Sequence, residues 1–125
     1  MLADRPAVAT VAVKDLAVAK RFYEGVLGLT QIGSQGEETV TYAAGGAKLL
    51  VYRSQFSGTN KATAVTWLVG DDLERIVETL KSKGLAFEHY DLPQLKRHGD
   101  IHEGGGMRVA WFKDPDGNIH SIANG

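Results

Sequence analysis

Apolar positions along this chain follow two rhythms, a strand period of two and a helix period between three and four, and the two alternate in a fixed order. Ala7 to Val13 is rich in Val, Thr and Ala and runs into Asp15, whose short carboxylate can cap the N–H groups that open a helix. From Leu16 the apolar residues Val18, Ala19, Phe22, Tyr23, Val26 and Leu27 recur at three and four, which predicts a helix from about Leu16 to Leu27, ended by Gly28. Three short strand-like stretches follow, Leu29 to Ile32, Thr39 to Ala43 and Ala47 to Arg53, separated by Gly33, Gly36 and Gly45-Gly46. The order is βαβββ.

After the polar stretch Ser54 to Ala62 the same order returns. Ala64 to Val69 reads as a strand, Asp71 or Asp72 as a cap, and Leu73, Ile76, Val77 and Leu80 as the apolar stripe of a helix ended by Gly84. Leu85 to Tyr90, Met107 to Phe112 and Asn118 to Ala123 supply the remaining strands. Setting Asp72 over Asp15 gives an offset of 57 (72 − 15), and setting Gly84 over Gly28 gives 56 (84 − 28), so the two registers agree within one residue. Internal duplication is the economical explanation. The reading is one domain over residues 1–125, with module one at about 6–54 and module two at about 62–125. One segment breaks the symmetry: Asp91 to Gly106 joins two strands where the first module has a short turn, and a connection of that length points to a lid or binding loop.

Composition narrows the chemistry. The 14 Lys and Arg nearly balance 15 Asp and Glu, for a net charge of −1, so no long-range field draws nucleic acid or an anionic membrane. No apolar run approaches the length of a membrane span, and Met1 to Pro6 lacks the apolar core of a signal peptide, so the expectation is a cytoplasmic protein. With no cysteine, disulfides, thiolate metal sites and a cysteine nucleophile are excluded together.

Four fragments carry a family resemblance. Val11 to Leu16 (Val-Ala-Val-Lys-Asp-Leu), then Phe22-Tyr23 and Leu27-Gly28-Leu29, and finally Trp111 to Asn118 (Trp-Phe-Lys-Asp-Pro-Asp-Gly-Asn) resemble the opening and closing signatures of the vicinal oxygen chelate superfamily of glyoxalases, bleomycin-resistance proteins and dioxygenases. The resemblance implies an α+β fold in which paired βαβββ modules form a cupped mixed sheet with a cleft, and a homodimer. It also implies one divalent metal held by His, Gln or Glu from four strands. On this sequence those positions fall at Val8, near Leu50, at Val65 and at Ser121, which offer a hard cation almost nothing, so neither a metal nor another cofactor is expected.

Other groupings of polar residues carry weaker signals. His98 and His102 share the long loop with Glu103, and His102 with Glu103 is the better acid–base candidate, although a loop that also holds Lys96, Arg97 and Asp100 reads as solvated surface. His120 alternates with Ser121, points to the other face and reads as a packing residue. Asp114-Pro115-Asp116-Gly117 has the glycine of a tight hairpin turn and lacks the donor spacing of a calcium loop. Taking the mapped positions as cleft-facing places Thr10, Leu50, Tyr52, Val65, Trp67, Trp111 and Ser121 on the cavity wall, an aromatic lining suited to a flat or partly apolar small molecule. Closure of the core by these aromatics is the competing reading. The function expected is metal-independent small-molecule binding of the bleomycin-resistance type. The alternative is a lyase, isomerase or dioxygenase of the same superfamily with a displaced metal or a cofactor-free mechanism.

Overall fold

The Val-rich opening run forms β1 (Ala9–Val13), and Asp15 caps the helix behind it, its Oδ1 accepting from the N–H groups of Ala17 at 2.8 Å and Val18 at 3.3 Å. The predicted continuous helix is α-helical only over α1 (Leu16–Lys20). It continues as a π-helical segment, Arg21–Val26, in which the Leu27 N–H donates to the Phe22 carbonyl five residues back at 3.0 Å. The wider turn lets two consecutive aromatics, Phe22 and Tyr23, both enter the core. Gly28 then takes φ +74°, as the C-terminal position of a helix requires. The computed structural model describes residues 1–125, which form two compact units, Met1–Asn60 and Lys61–Gly125.

In the first unit β2 (Thr30–Gln35), β3 (Thr39–Ala44) and β4 (Ala47–Arg53) join β1 in a sheet of order β1-β4-β3-β2, with β1 parallel to β4 and the rest antiparallel. Alternation sends Val11, Val13, Val40, Tyr42, Leu49 and Val51 to one face, where they are buried. Tyr23 from the helical segment stacks on Tyr42 at 5.9 Å, which places the helix over that face. The Tyr42 hydroxyl donates to Glu24 at 2.8 Å, and burial followed by this carboxylate raises its pKa.

The second unit repeats the plan and elaborates it. β5 (Thr63–Leu68), α2 (Leu73–Ser82), β6 (Phe87–Glu88), β7 (Lys96–His98), β8 (Ile101–Gly104), β9 (Met107–Lys113) and β10 (Ile119–Ala123) form a helix and a sheet of order β5-β10-β9-β8-β7, with β6 paired to β9. β5 is parallel to β10, as β1 is to β4. Asp72 does not cap α2. A one-turn 3-10 helix, Gly70–Asp72, leads into it, and the Asp72 carboxylate instead pairs with Arg75 at 3.1 Å. Leu73, Val77 and Leu80 bury the apolar stripe, and Glu74 is bonded to Arg108 of β9. The helix therefore lies over the sheet face that carries Arg108 and, by alternation, Ala110 and Phe112.

The segment from Asp91 to Gly106, expected as a lid or binding loop, carries a two-stranded hairpin, β7–β8. The chain leaves the sheet after β6, and the β7–β8 hairpin then brings it back to pair with the other half of the same edge of β9. The second unit thus replaces the continuous edge strand β2 with a strand broken by an inserted hairpin. Asp114 closes the last turn, accepting from the N–H groups of Asp116 and Asn118 and from the Asn118 side chain at 2.7 to 2.9 Å, with Gly117 at φ +87°. No helix is long and apolar enough to cross a membrane.

Candidate functional site

Each sheet has one face turned toward its own helix and one turned away, and chemistry-bearing side chains gather on the helix-free face of the second unit. Register fixes that face. Ser121 of β10 stands opposite Thr66 of β5 and Trp111 of β9, Glu88 of β6 stands opposite Trp111, and His102 of β8 stands opposite Val109. The Thr66 and Ser121 hydroxyls lie 2.8 Å apart, and the Trp111 indole N–H donates to Thr63 at 3.3 Å. A pair of hydroxyls joined by one bond keeps one O–H hydrogen to offer elsewhere. Lys113 and Glu88 form an ion pair of 3.2 Å on the same face.

Three rings meet there at the break in the edge strand. Trp111 makes edge-to-face contacts with His102 at 4.9 Å and with Tyr90 at 5.1 Å, and Tyr90 lies 6.3 Å from His102. The backbone N–H of Tyr90, at the point where the chain leaves the sheet, donates to His102 Nε2 at 3.0 Å. The imidazole thus takes the place of a ladder partner, and because Nε2 accepts, the neutral ring carries its proton on Nδ1. His102 is fully buried, yet neither its Nδ1 nor the buried Tyr90 hydroxyl has a partner in the protein. Each such group costs about 1–3 kcal/mol when left unsatisfied away from water. Burial raises the Tyr90 pKa, followed by the nearby Glu88 charge, so the phenol stays protonated.

The sequence-level candidates divide between the two faces. Trp111 and Ser121 stand on the helix-free face of the second sheet, and Thr10, Leu50 and Tyr52 share the corresponding face of the first, where Leu50 is flanked by Thr10 and Thr41 and Tyr52 by Ala12 and Thr39. Val65 and Trp67 do not join them. Val65 pairs with His120, and Trp67 stacks on His120 and donates its indole N–H to His120 Nδ1 at 3.1 Å, on the face that carries Phe112, below α2. The source of the error is the repeat offset. The 3-10 turn adds one residue ahead of α2, so an alignment on Asp72 slips β5 by one, and a slip of one exchanges the faces of a strand. The glycine offset of 56 places Thr66 over Thr10, as the register requires.

His102 and Glu103 are consecutive in β8 and point opposite ways, so the expected acid–base pair does not form. Glu103 faces Arg108 at 3.6 Å on the helix side, while His102, expected on an exposed loop, is buried. His89 pairs with Asp100 at 2.7 Å, and His98 is an exposed residue of β7. His120 is a buried packing residue whose pKa burial pushes down to about 4. Tyr90 is not legible from the sequence, because its place beside His102 depends on where the edge strand breaks, which no local pattern encodes. An open cavity of about 620 Å³ in the first unit, lined by Lys14, Asp15, Lys20, Glu37 and Arg53 among others, is a separate feature whose Asp15 is already engaged as a cap and whose Arg53 is paired with Glu38.

Two βαβββ modules, each with a strand pair of the same parallel register and one helix-free face, define the paired-module α+β class. The chain belongs to the Glyoxalase/Bleomycin resistance protein/Dioxygenase superfamily, whose sequence model matches residues 5–121. Among solved structures, lactoylglutathione lyase from Agrobacterium tumefaciens is similar with a TM-score of 0.72 at 17% identity, covering 96% of this chain and 92% of that one. The fosfomycin resistance protein FosX from Mesorhizobium loti gives 0.69 at 16% identity, covering 98% and 92%. Oxidase ChaP-H2 gives 0.69 at 25% identity, covering 97% and 93%. No curated protein matches the chain in sequence.

The divalent metal that the family resemblance implies does not fit the residues present. Val8, Leu50 and Val65 have no donor atom, replacing Val65 by Ala64 to correct the register adds none, and the Ser121 hydroxyl is bonded to Thr66. No group of three or more His, Asp or Glu side chains could hold a metal ion.

Proposed function

We propose that this chain is a metal-independent small-molecule-binding member of the superfamily, taking a flat, partly apolar ligand on the helix-free face of its second module. The observation that carries the reading is the Tyr90–His102–Trp111 cluster. It combines aromatic surface with two buried polar atoms that the protein leaves without partners, the arrangement of a site that is mostly apolar with a few placed polar groups. The neighbouring Thr66–Ser121 hydroxyl pair adds orientation without a charge. The enzymatic alternative draws less support here, because the one imidazole on this face spends its basic nitrogen on the Tyr90 N–H.

The test has two arms. Elemental analysis of protein purified without chelator should find far less than one equivalent of Zn, Ni, Mn or Fe per chain, and a stoichiometric metal contradicts the reading. A screen of flat aromatic compounds followed by tryptophan emission should yield saturable changes that disappear in Trp111→Phe and persist in Trp67→Phe. Changes that follow Trp67 instead contradict the assignment of the face.

A further inference from the structure

We infer that the site selects ligands carrying a hydrogen-bond acceptor, a carboxylate, phenolate or carbonyl oxygen on an aromatic frame, which His102 Nδ1–H and Tyr90 Oη–H receive together. The inference rests on the binding role just proposed for this face and adds the chemical class of what is bound.

A neutral imidazole has one donor and one acceptor nitrogen, and His102 uses its acceptor, Nε2, on the Tyr90 backbone at 3.0 Å. What remains is a donor, and it is buried with no acceptor from the chain. Reversing the ring's tautomer does not relieve this, since it would set Nε2–H against the Tyr90 N–H. The Tyr90 hydroxyl can in principle donate or accept. Its backbone N–H fixes Tyr90 beside the imidazole, and its own oxygen is likewise buried and without a partner. Two such groups on rings that both contact Trp111 call for a shared acceptor. A ligand presenting only donors would leave the imidazole N–H unpaired. One lacking polar groups altogether would leave both unpaired, and a site built around buried polar groups rejects analogues of that kind more strongly than an apolar pocket can. Lys113 is held by Glu88 at the same face, so the local charge is balanced and the preference rests on directed N–H and O–H donors rather than on a cationic field.

Calorimetric titration with 2-naphthoate, 2-methylnaphthalene and 2-naphthylmethylammonium, three flat probes of one frame, tests this. The expected result is that naphthoate binds at least about tenfold more tightly than either other probe, one well-made hydrogen bond to a charged acceptor being sufficient for that ratio. Tyr90→Phe, which removes only the hydroxyl, should reduce the preference for naphthoate over methylnaphthalene by roughly threefold to tenfold. His102→Phe should abolish most of the preference. Because that change also strips the cap from the Tyr90 N–H, its folding is checked by thermal melting, and Tyr90→Phe decides the matter if it does not fold. Equal binding of naphthoate and methylnaphthalene, or a preference unmoved by Tyr90→Phe, overturns the inference while leaving the binding role intact. No binding of any probe overturns both.

Discussion

His120 shows how one residue links packing to pH. Its ring lies between Trp67 and Phe112, stacked on Phe112 at 4.8 Å, and it accepts the Trp67 indole N–H, a set of contacts that suits only the neutral imidazole. Burial lowers its pKa from 6.5 to about 4. The folded state therefore resists a proton that the unfolded chain accepts. The stability contributed by the neutral ring is fully present above about pH 6.5 and is lost as pH falls toward about 4, by roughly 3 kcal/mol at the end of that window. Urea unfolding of the wild type and of His120→Phe between pH 7.5 and pH 4 should give curves that converge as pH falls. A constant difference across the window would remove His120 as the cause. The alternation of His120 with Ser121 made its packing role readable in the sequence, because two adjacent strand residues cannot share a face. The same rule applied to His102 and Glu103 argues against their pairing once that segment is recognised as β8. The polar composition of the segment hid the strand.

At the scale of elements, the unequal halves of the duplication are the informative part. The strands with Val, Ile, Leu and aromatic alternation were legible, as were the helices with their glycine stops. The π-helical continuation of α1 and the 3-10 turn before α2 were not, because each changes the residue count without changing the apolar pattern. That uncounted residue is what sent Val65 and Trp67 to the wrong face. The hairpin β7–β8 was hidden too, since Lys96-Arg97-His98 is an exposed, charged edge strand with no apolar face to betray it. What anchors the connection beside it is Gly104, where a β-carbon would collide with the Gln94 carbonyl oxygen and crowd Leu95. Gly104→Ala should therefore push the Asp91–Leu95 connection away from β8, at a cost of about 1–3 kcal/mol. Hydrogen exchange at residues 95 to 102 should accelerate while α2 and β10 stay protected. Unaltered exchange and melting would show that the close approach is not needed.

On the scale of the whole molecule, the fold was legible because four separated fragments and a duplication agreed, whereas the candidate site was only partly so. Trp111 and Ser121 could be placed by their distance from the Asp-Pro-Asp-Gly turn. Tyr90 and His102 are brought together by the interruption of an edge strand, a tertiary event. We propose that the protein is a homodimer, as its family resemblance implies and as small sheets with unpaired edges favour. Light scattering should report twice the 13.5 kDa chain mass, and a single-chain mass contradicts the proposal. The most direct test of the binding account uses the two indoles as reporters of the two faces of one sheet. In ¹⁵N-resolved NMR spectra recorded during a titration with 2-naphthoate, the Trp111 indole N–H should shift progressively to saturation while the Trp67 indole N–H, held by His120 beneath α2, stays in place. A saturable shift of Trp67 with Trp111 unmoved, or no shift of either, would contradict it.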